Sequence, residues 1–136
     1  MLKFLFLLTL LTSQIWAKGS TSIESVIQDY FQGYQQADIF LIQNSFHPQT
    51  KLLSITNGKM DVTEMKDWLK SLEARRMRGD IRIGKLKIES IDVTDQAAAV
   101  KLKIRFQTFE FTDYLSLLRI DGMWVIVGKI YHYREI

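Results

Sequence analysis

Two histidines, a lysine inside an apolar strand and a scatter of aromatic residues are the side chains of this 136-residue sequence whose types and spacing could do chemistry. His47 stands just before Pro48 and close along the chain to Asp38 and Tyr34, so with either it could form an acid/base pair that moves protons near neutral pH. A histidine at a helix end can instead cap carbonyls through its ring, its charged form favoured by the helix dipole. Both readings stay open at this point. His132 lies in Tyr131-His132-Tyr133-Arg134, and no acidic or histidine cluster around either residue has metal-ligand spacing, so no metal site is expected. Cysteine is absent, which removes disulfides, a thiol nucleophile and a lipid-modified cysteine together.

Lys129 interrupts an apolar strand at an odd position shared with Val125, Val127 and Tyr131. If that face lines a cavity, its ammonium could bind an anionic ligand; if the face points outward, its stem lies over apolar neighbours with the charge in water. Tyr30, Tyr34, Phe46, Trp68, Phe106, Trp124 and Tyr131 could line a concave pocket for a flat heterocycle or a polyketide-like molecule, or serve as ordinary core. The cluster Arg75, Arg76, Arg78, Arg82, Lys85 and Lys87 has no interleaved aromatics, so it reads as a solvated helix end and strand edge rather than a phosphate or membrane surface. No phosphate-cradling glycine loop and no serine nucleophile elbow is present, and no cofactor is expected.

The elements that must position these residues follow from periodicity. Ile23, Val26, Ile27, Tyr30, Phe31 and Tyr34 recur at helical steps behind a Thr21/Glu24 capping box. Asp38 has the position of an N-cap for a second, short helix carrying Ile39, Leu41, Ile42 and Phe46, which ends at His47 because Pro48 disfavours helical geometry before it. Lys51 to Thr56 and Lys59 to Val62 read as a hairpin about Asn57-Gly58. A third helix, capped by Asp61 or Thr63, turns Met65, Trp68, Leu69 and Leu72 inward and ends before Gly79.

Beyond Gly79 the period changes to two. Four strand-like stretches, Ile81 to Val93, Ala97 to Thr108, Glu110 to Ile120 and Met123 to Tyr133, form an antiparallel meander. In the first of them the apolar face slips from odd to even positions and back, which calls for bulges, with Gly84 a candidate. The last stretch is apolar on both faces, so one meets the helices and the other a partner chain or another part of the domain, from which a homodimer is expected.

The amino terminus carries Lys3, the apolar stretch Phe4 to Leu11, the more polar Thr12, Ser13 and Gln14, and then Ile15-Trp16-Ala17. That is the order of a signal peptide cut after Ala17, and the apolar stretch is well short of the roughly 20 residues that span a bilayer. The expectation is an exported protein, periplasmic or secreted, with no stable membrane anchor after cleavage and one domain over residues 18–136. Loss of Lys3 lowers the net charge from +3 to +2, too small a surplus to imply a nucleic-acid partner.

Three amino-terminal helices, a hairpin and a bent sheet ending in Asp121-Gly122-Met123-Trp124-Val125-Ile126 resemble the nuclear transport factor 2-like superfamily. Within it, Tyr34-Gln35-Gln36-Ala37-Asp38, Phe46-His47-Pro48 and Trp124-Val125-Ile126-Val127-Gly128-Lys129-Ile130-Tyr131 resemble the group called "Putative lumazine-binding", alongside polyketide cyclase-like members. The resemblance implies an α+β fold, three helices packed on a strongly bent antiparallel sheet, a cone-shaped α+β barrel.

Such cones host isomerases, dehydratases, cyclases, ligand binders and association domains, so the fold alone does not assign a function. Against ketosteroid isomerase, Tyr30 falls at the oxyanion tyrosine, Ser54 at the general base and Ser116 at the second oxyanion acid. A serine has no proton affinity near neutral pH without a neighbouring base, so steroid-type isomerisation is not expected. The resulting expectation is a non-catalytic domain that binds a small apolar or anionic molecule through Tyr30, Tyr34, Phe46, Trp68, Phe106, Ser116, Lys129 and Tyr131. The alternatives are a proton-transfer enzyme using His47, Asp38 and Tyr30, and a homodimeric interaction module.

Overall fold

In the computed structural model, which describes residues 19–136, helix α1 (Ile23–Gln36) is capped by Ser22, whose Oγ accepts from the Ser25 amide at 3.1 Å. The cap lies one residue beyond Thr21, and the Thr21/Glu24 box is not used. The signal-peptide reading of residues 1–17 lies outside the described residues. The buried stripe of α1 includes Ile23, Val26, Ile27, Tyr30 and Phe31, as its spacing predicts.

The chain turns at Ala37 in the left-handed conformation, and Asp38 then caps α2 (Ile39–Ser45), Oδ1 accepting from the amides of Phe40 at 3.0 Å and Leu41 at 3.3 Å. The two helices close on Gly33, where a Cβ would come within 2.9 Å of Ile42. The helix gives way at Phe46, which bridges in parallel to Ile126, and the His47 amide donates to the Ile126 carbonyl at 2.8 Å.

Strands β1 (Lys51–Thr56) and β2 (Lys59–Glu64) are joined by Asn57 and Gly58, both at positive φ. β2 runs straight into α3 (Met65–Met77), so Asp61 and Thr63 are strand residues and Glu64 stands at the cap without a side-chain bond. The remaining strands are β3 (Lys85–Thr94), β4 (Ala97–Arg105), β5 (Phe109–Ile120) and β6 (Met123–Glu135). They form one sheet in the order β2-β1-β6-β5-β4-β3. All pairings are antiparallel except β1 with β6. The sheet is the strongly bent cone expected from the sequence, and it is not closed, with β2 and β3 as its edges.

Two bulges shape this sheet. In β3 the register against β4 shifts between Ile88 and Ser90, so the slip falls at Glu89. Gly84 precedes the strand and faces the Phe106 ring, where a Cβ would lie 2.7 Å from a ring carbon; Ile81 and Ile83 are exposed and outside any strand. In the β5–β6 pair, Ser116 faces Gly128 whereas Leu117 faces Ile126, which leaves Val127 as the extra residue. Trp124 and Ile126 point into the core before the bulge, and Lys129 does so after it. The odd-numbered face proposed for Val125, Val127 and Lys129 together is therefore corrected: the extra residue exchanges the faces within one strand.

Candidate functional site

The odd-numbered residues of β5 face the helices, and the series Phe109, Phe111, Asp113, Leu115, Leu117 places one carboxylate on an otherwise apolar face. Asp113 is fully buried. Its Oδ2 accepts from the Tyr30 hydroxyl at 2.6 Å, reaching α1 from β5, and lies 3.1 Å from Lys129 Nζ. Lys129 also donates to the Tyr30 hydroxyl, so the three groups touch one another pairwise. Asp113 Oδ1 is buried with no hydrogen-bond partner among the described residues. That is an uncommon state for a carboxylate oxygen away from water.

Aromatic rings wall this polar centre. Lys129 Nζ sits 4.7 Å from the Tyr30 ring centroid, 5.0 Å from Tyr131, 5.6 Å from Trp68 and 5.7 Å from Phe111. Phe46 and Trp68 pack edge-on at 5.2 Å, and Phe46 meets Tyr30 at 5.1 Å. Burial pushes the Lys129 ammonium below its ordinary value, with Asp113 pulling it back up. Burial, reinforced by the charge of Asp113, holds the Tyr30 phenol well above its ordinary value, so it stays a proton donor. At the open end of the same concave face, Ser54, Thr56, Phe111, Tyr131 and Tyr133 border a hollow of about 420 Å³. Phe111 and Tyr131 thus line both the hollow and the surroundings of Lys129.

The structure brings Tyr30, Phe46, Trp68, Lys129 and Tyr131 together. Tyr34 and Phe106 belong to an adjoining layer with Phe109 and Phe111, where the Tyr34 hydroxyl accepts from Arg82 at 2.7 Å and the Arg75 guanidinium lies 4.8 Å over its ring. Arg75 is buried there, which corrects its reading as part of a solvated basic end. Ser116 faces the opposite side of the sheet, beside Gly128, because even-numbered residues of β5 point outward.

His47 and Asp38 do not meet as an acid/base pair. His47 Nδ1 accepts from the Gln49 amide at 3.2 Å, and the Asp38 carboxylate is engaged at the start of α2. The residue that sequence reasoning missed is Asp113. Its signal was present as the lone acid in an apolar period-two series.

The profile of the family described as "Putative lumazine-binding" matches residues 18–132. Aldolase FrzH from Cladobotryum sp. is 26% identical over 109 residues, covering 76% of this chain and 82% of that protein. Among solved structures, a nuclear transport factor 2-like protein of unknown function from Silicibacter pomeroyi superposes with a TM-score of 0.72 at 18% identity, over 82% of this chain and 92% of that one. A second, also of unknown function, from Shewanella baltica gives 0.70 at 23% identity, over 80% and 88%. These two likenesses are to the fold.

Proposed function

Since the chain belongs to the "Putative lumazine-binding" family of nuclear transport factor 2-like proteins, we propose that it is an exported domain that binds a small flat molecule over its Tyr30–Asp113–Lys129 centre. The observation that carries this reading is the unpartnered Asp113 Oδ1, buried beside a lysine within aromatic walls. Such an oxygen is costly unless something donates to it. A molecule that presents an N–H beside a carbonyl, as a pyrimidinedione ring does, would donate to Asp113 Oδ1 and accept from Lys129. Trp68, Phe111 and Tyr131 supply faces and edges for its ring, and the hollow beside Phe111 and Tyr131 is the way in.

Lumazine itself is the probe. Fluorescence titration and melting curves of the mature protein should give saturable binding, weakened at least about tenfold in Asp113→Asn, since each lost charge-assisted bond is worth roughly 1.5–3 kcal/mol. No change in either signal at millimolar lumazine counts against the reading.

The similarity to an aldolase favours a second reading, an enzyme acting at a carbonyl group. Its acid/base groups would be Asp113 and Tyr30, which are hydrogen-bonded to each other in the buried centre, in place of His47, whose Nδ1 accepts from the Gln49 amide. The two readings share one site.

The homodimer also belongs to this proposal. On the outer face of the sheet, Leu53, Tyr114 and Ile130 border a groove of about 680 Å³, with Tyr114 47% and Ile130 53% exposed on central strands. Apolar residues in the middle of a sheet face are the usual mark of a covered surface. A second copy of this chain is the proposed cover.

A further inference from the structure

Lys129 differs in kind from the lysines that pair on the surface. Lys51, Lys101 and Lys103 meet Glu64 or Glu89 with their side chains substantially exposed, whereas Lys129 is the only buried lysine among the described residues. Its nitrogen has one carboxylate and one phenol as polar partners and aromatic rings elsewhere. Phe111 and Tyr131 lie against Lys129 and also line the hollow at the open end of the cone.

A lysine that only balances a buried carboxylate does not need a phenol at the same atom, nor a carboxylate with a second, unoccupied oxygen. A lysine that attacks a carbonyl can use both. Imine formation requires a base to take the ammonium proton, an acid to protonate the departing hydroxyl and a donor to polarise the carbonyl.

We propose that Lys129 is a nucleophilic amine that forms an imine with an aldehyde or ketone held in the cone, with Asp113 relaying protons and Tyr30 polarising the carbonyl oxygen. The inference rests on the small-molecule reading above and names its ligand class.

The Lys129 ammonium gives a proton to Asp113, and the freed lone pair forms a C–N bond as the carbonyl π pair moves to oxygen under the Tyr30 hydroxyl. A proton passes from nitrogen to that oxygen, giving a carbinolamine. Asp113 then protonates the hydroxyl, the nitrogen lone pair forms the C=N bond, and water leaves. The net change is an ammonium and a carbonyl becoming an iminium and water, with Asp113 again a carboxylate beside a cation. Burial lowers the Lys129 value, and Asp113, which pulls it back up, is the group placed to take the proton.

The test is reductive trapping of the mature protein with benzaldehyde and cyanoborohydride at pH 7, read by intact mass and peptide mapping. Lys129 should be alkylated at least about tenfold faster than any exposed lysine, and the preference should vanish when the wild-type chain is labelled in urea. Asp113→Asn and Tyr30→Phe, checked for folding by their melting curves, should each slow labelling of Lys129 while leaving the surface lysines unchanged. Labelling of Lys129 no faster than that of exposed lysines overturns the proposal. If lumazine binds in the same preparation while Lys129 stays unlabelled, the imine fails and the binding reading stands; if neither occurs, both fail.

Discussion

Asp113 and Lys129 are diagonal neighbours on the concave face of the sheet, Asp113 opposite Tyr131 and Lys129 opposite Leu115, with Oδ2 and Nζ 3.1 Å apart. The pair exists because Val127 is an extra residue in β6. Without it, the period of two would carry Lys129 to the outer face, opposite to Asp113.

The energetic signature of that pair is asymmetric. Lys129→Met leaves the Asp113 carboxylate buried with only the Tyr30 hydroxyl, and such a loss costs about 3–5 kcal/mol. Replacing both partners, as Lys129→Met with Asp113→Leu, should recover most of that loss, because well-packed apolar groups carry no desolvation penalty. Urea denaturation of the two single variants and the double variant measures it. A double variant as unstable as the sum of the singles would mean that the pair is not coupled.

Tyr30 gives stability a pH dependence of known sign. Its folded value is raised, chiefly by burial and then by Asp113, so its contribution is fully present below about pH 10, where the unfolded phenol titrates, and is lost as pH rises through the folded value. Lys129 acts oppositely: its lowered value makes the folded state gain stability as pH rises toward the unfolded lysine's 10.5. Unfolding free energy measured from pH 8 to 11 should therefore fall more steeply in the wild type than in Tyr30→Phe. Parallel curves would refute the assignment.

Gly84 is set against the Phe106 ring, itself stacked on Phe109 at 4.8 Å. A methyl group there would lie 2.7 Å from the ring and 3.0 Å from the Arg105 carbonyl, so Gly84→Ala should cost about 1–3 kcal/mol through overpacking. Its melting temperature is the readout, with Gly58→Ala, whose Cβ would meet no atom within 4 Å but whose φ is positive, separating the backbone effect from the steric one.

The proposed dimer makes a separate prediction. Ile130→Lys places a charge on the outer face without touching the core, so sedimentation velocity should show a dimer for the wild type and a monomer for the variant. Monomer stability should change by no more than about 0.5 kcal/mol. A wild type that sediments as a monomer at tens of micromolar removes the dimer from the proposal.

Export is checked at the amino terminus. Protein recovered from the periplasm or the medium of a bacterial host should begin at Lys18, whereas an intact Met1 on the recovered protein would contradict cleavage after Ala17.

Much of the architecture was legible because it depends on neighbours a few residues apart. The stripe of α1, the Asp38 cap, and the Asn57-Gly58 turn with both residues at positive φ follow from local chemistry alone. The capping of α1 shows the edge of that resolution: Thr21 and Ser22 both carry the hydroxyl a cap needs, and it is Ser22 whose Oγ accepts from the Ser25 amide. The start of α3 went the same way, since pairing of Asp61 and Thr63 with β1 took them into a strand.

By itself, then, the sequence determined an α+β domain with three leading helices, a hairpin and a meander of long antiparallel strands, and it singled out Lys129 as a charge in an apolar strand. Only the tertiary structure decided where that charge points. Both faces of β6 are apolar, so no pattern within the strand distinguishes inside from outside, and the faces exchange at Val127 because of the register with β5. The site then joins Tyr30, Asp113 and Lys129 across separations of up to 99 residues. Contacts between residues that distant have no local signature, because their energy depends on which faces the whole sheet turns toward α1.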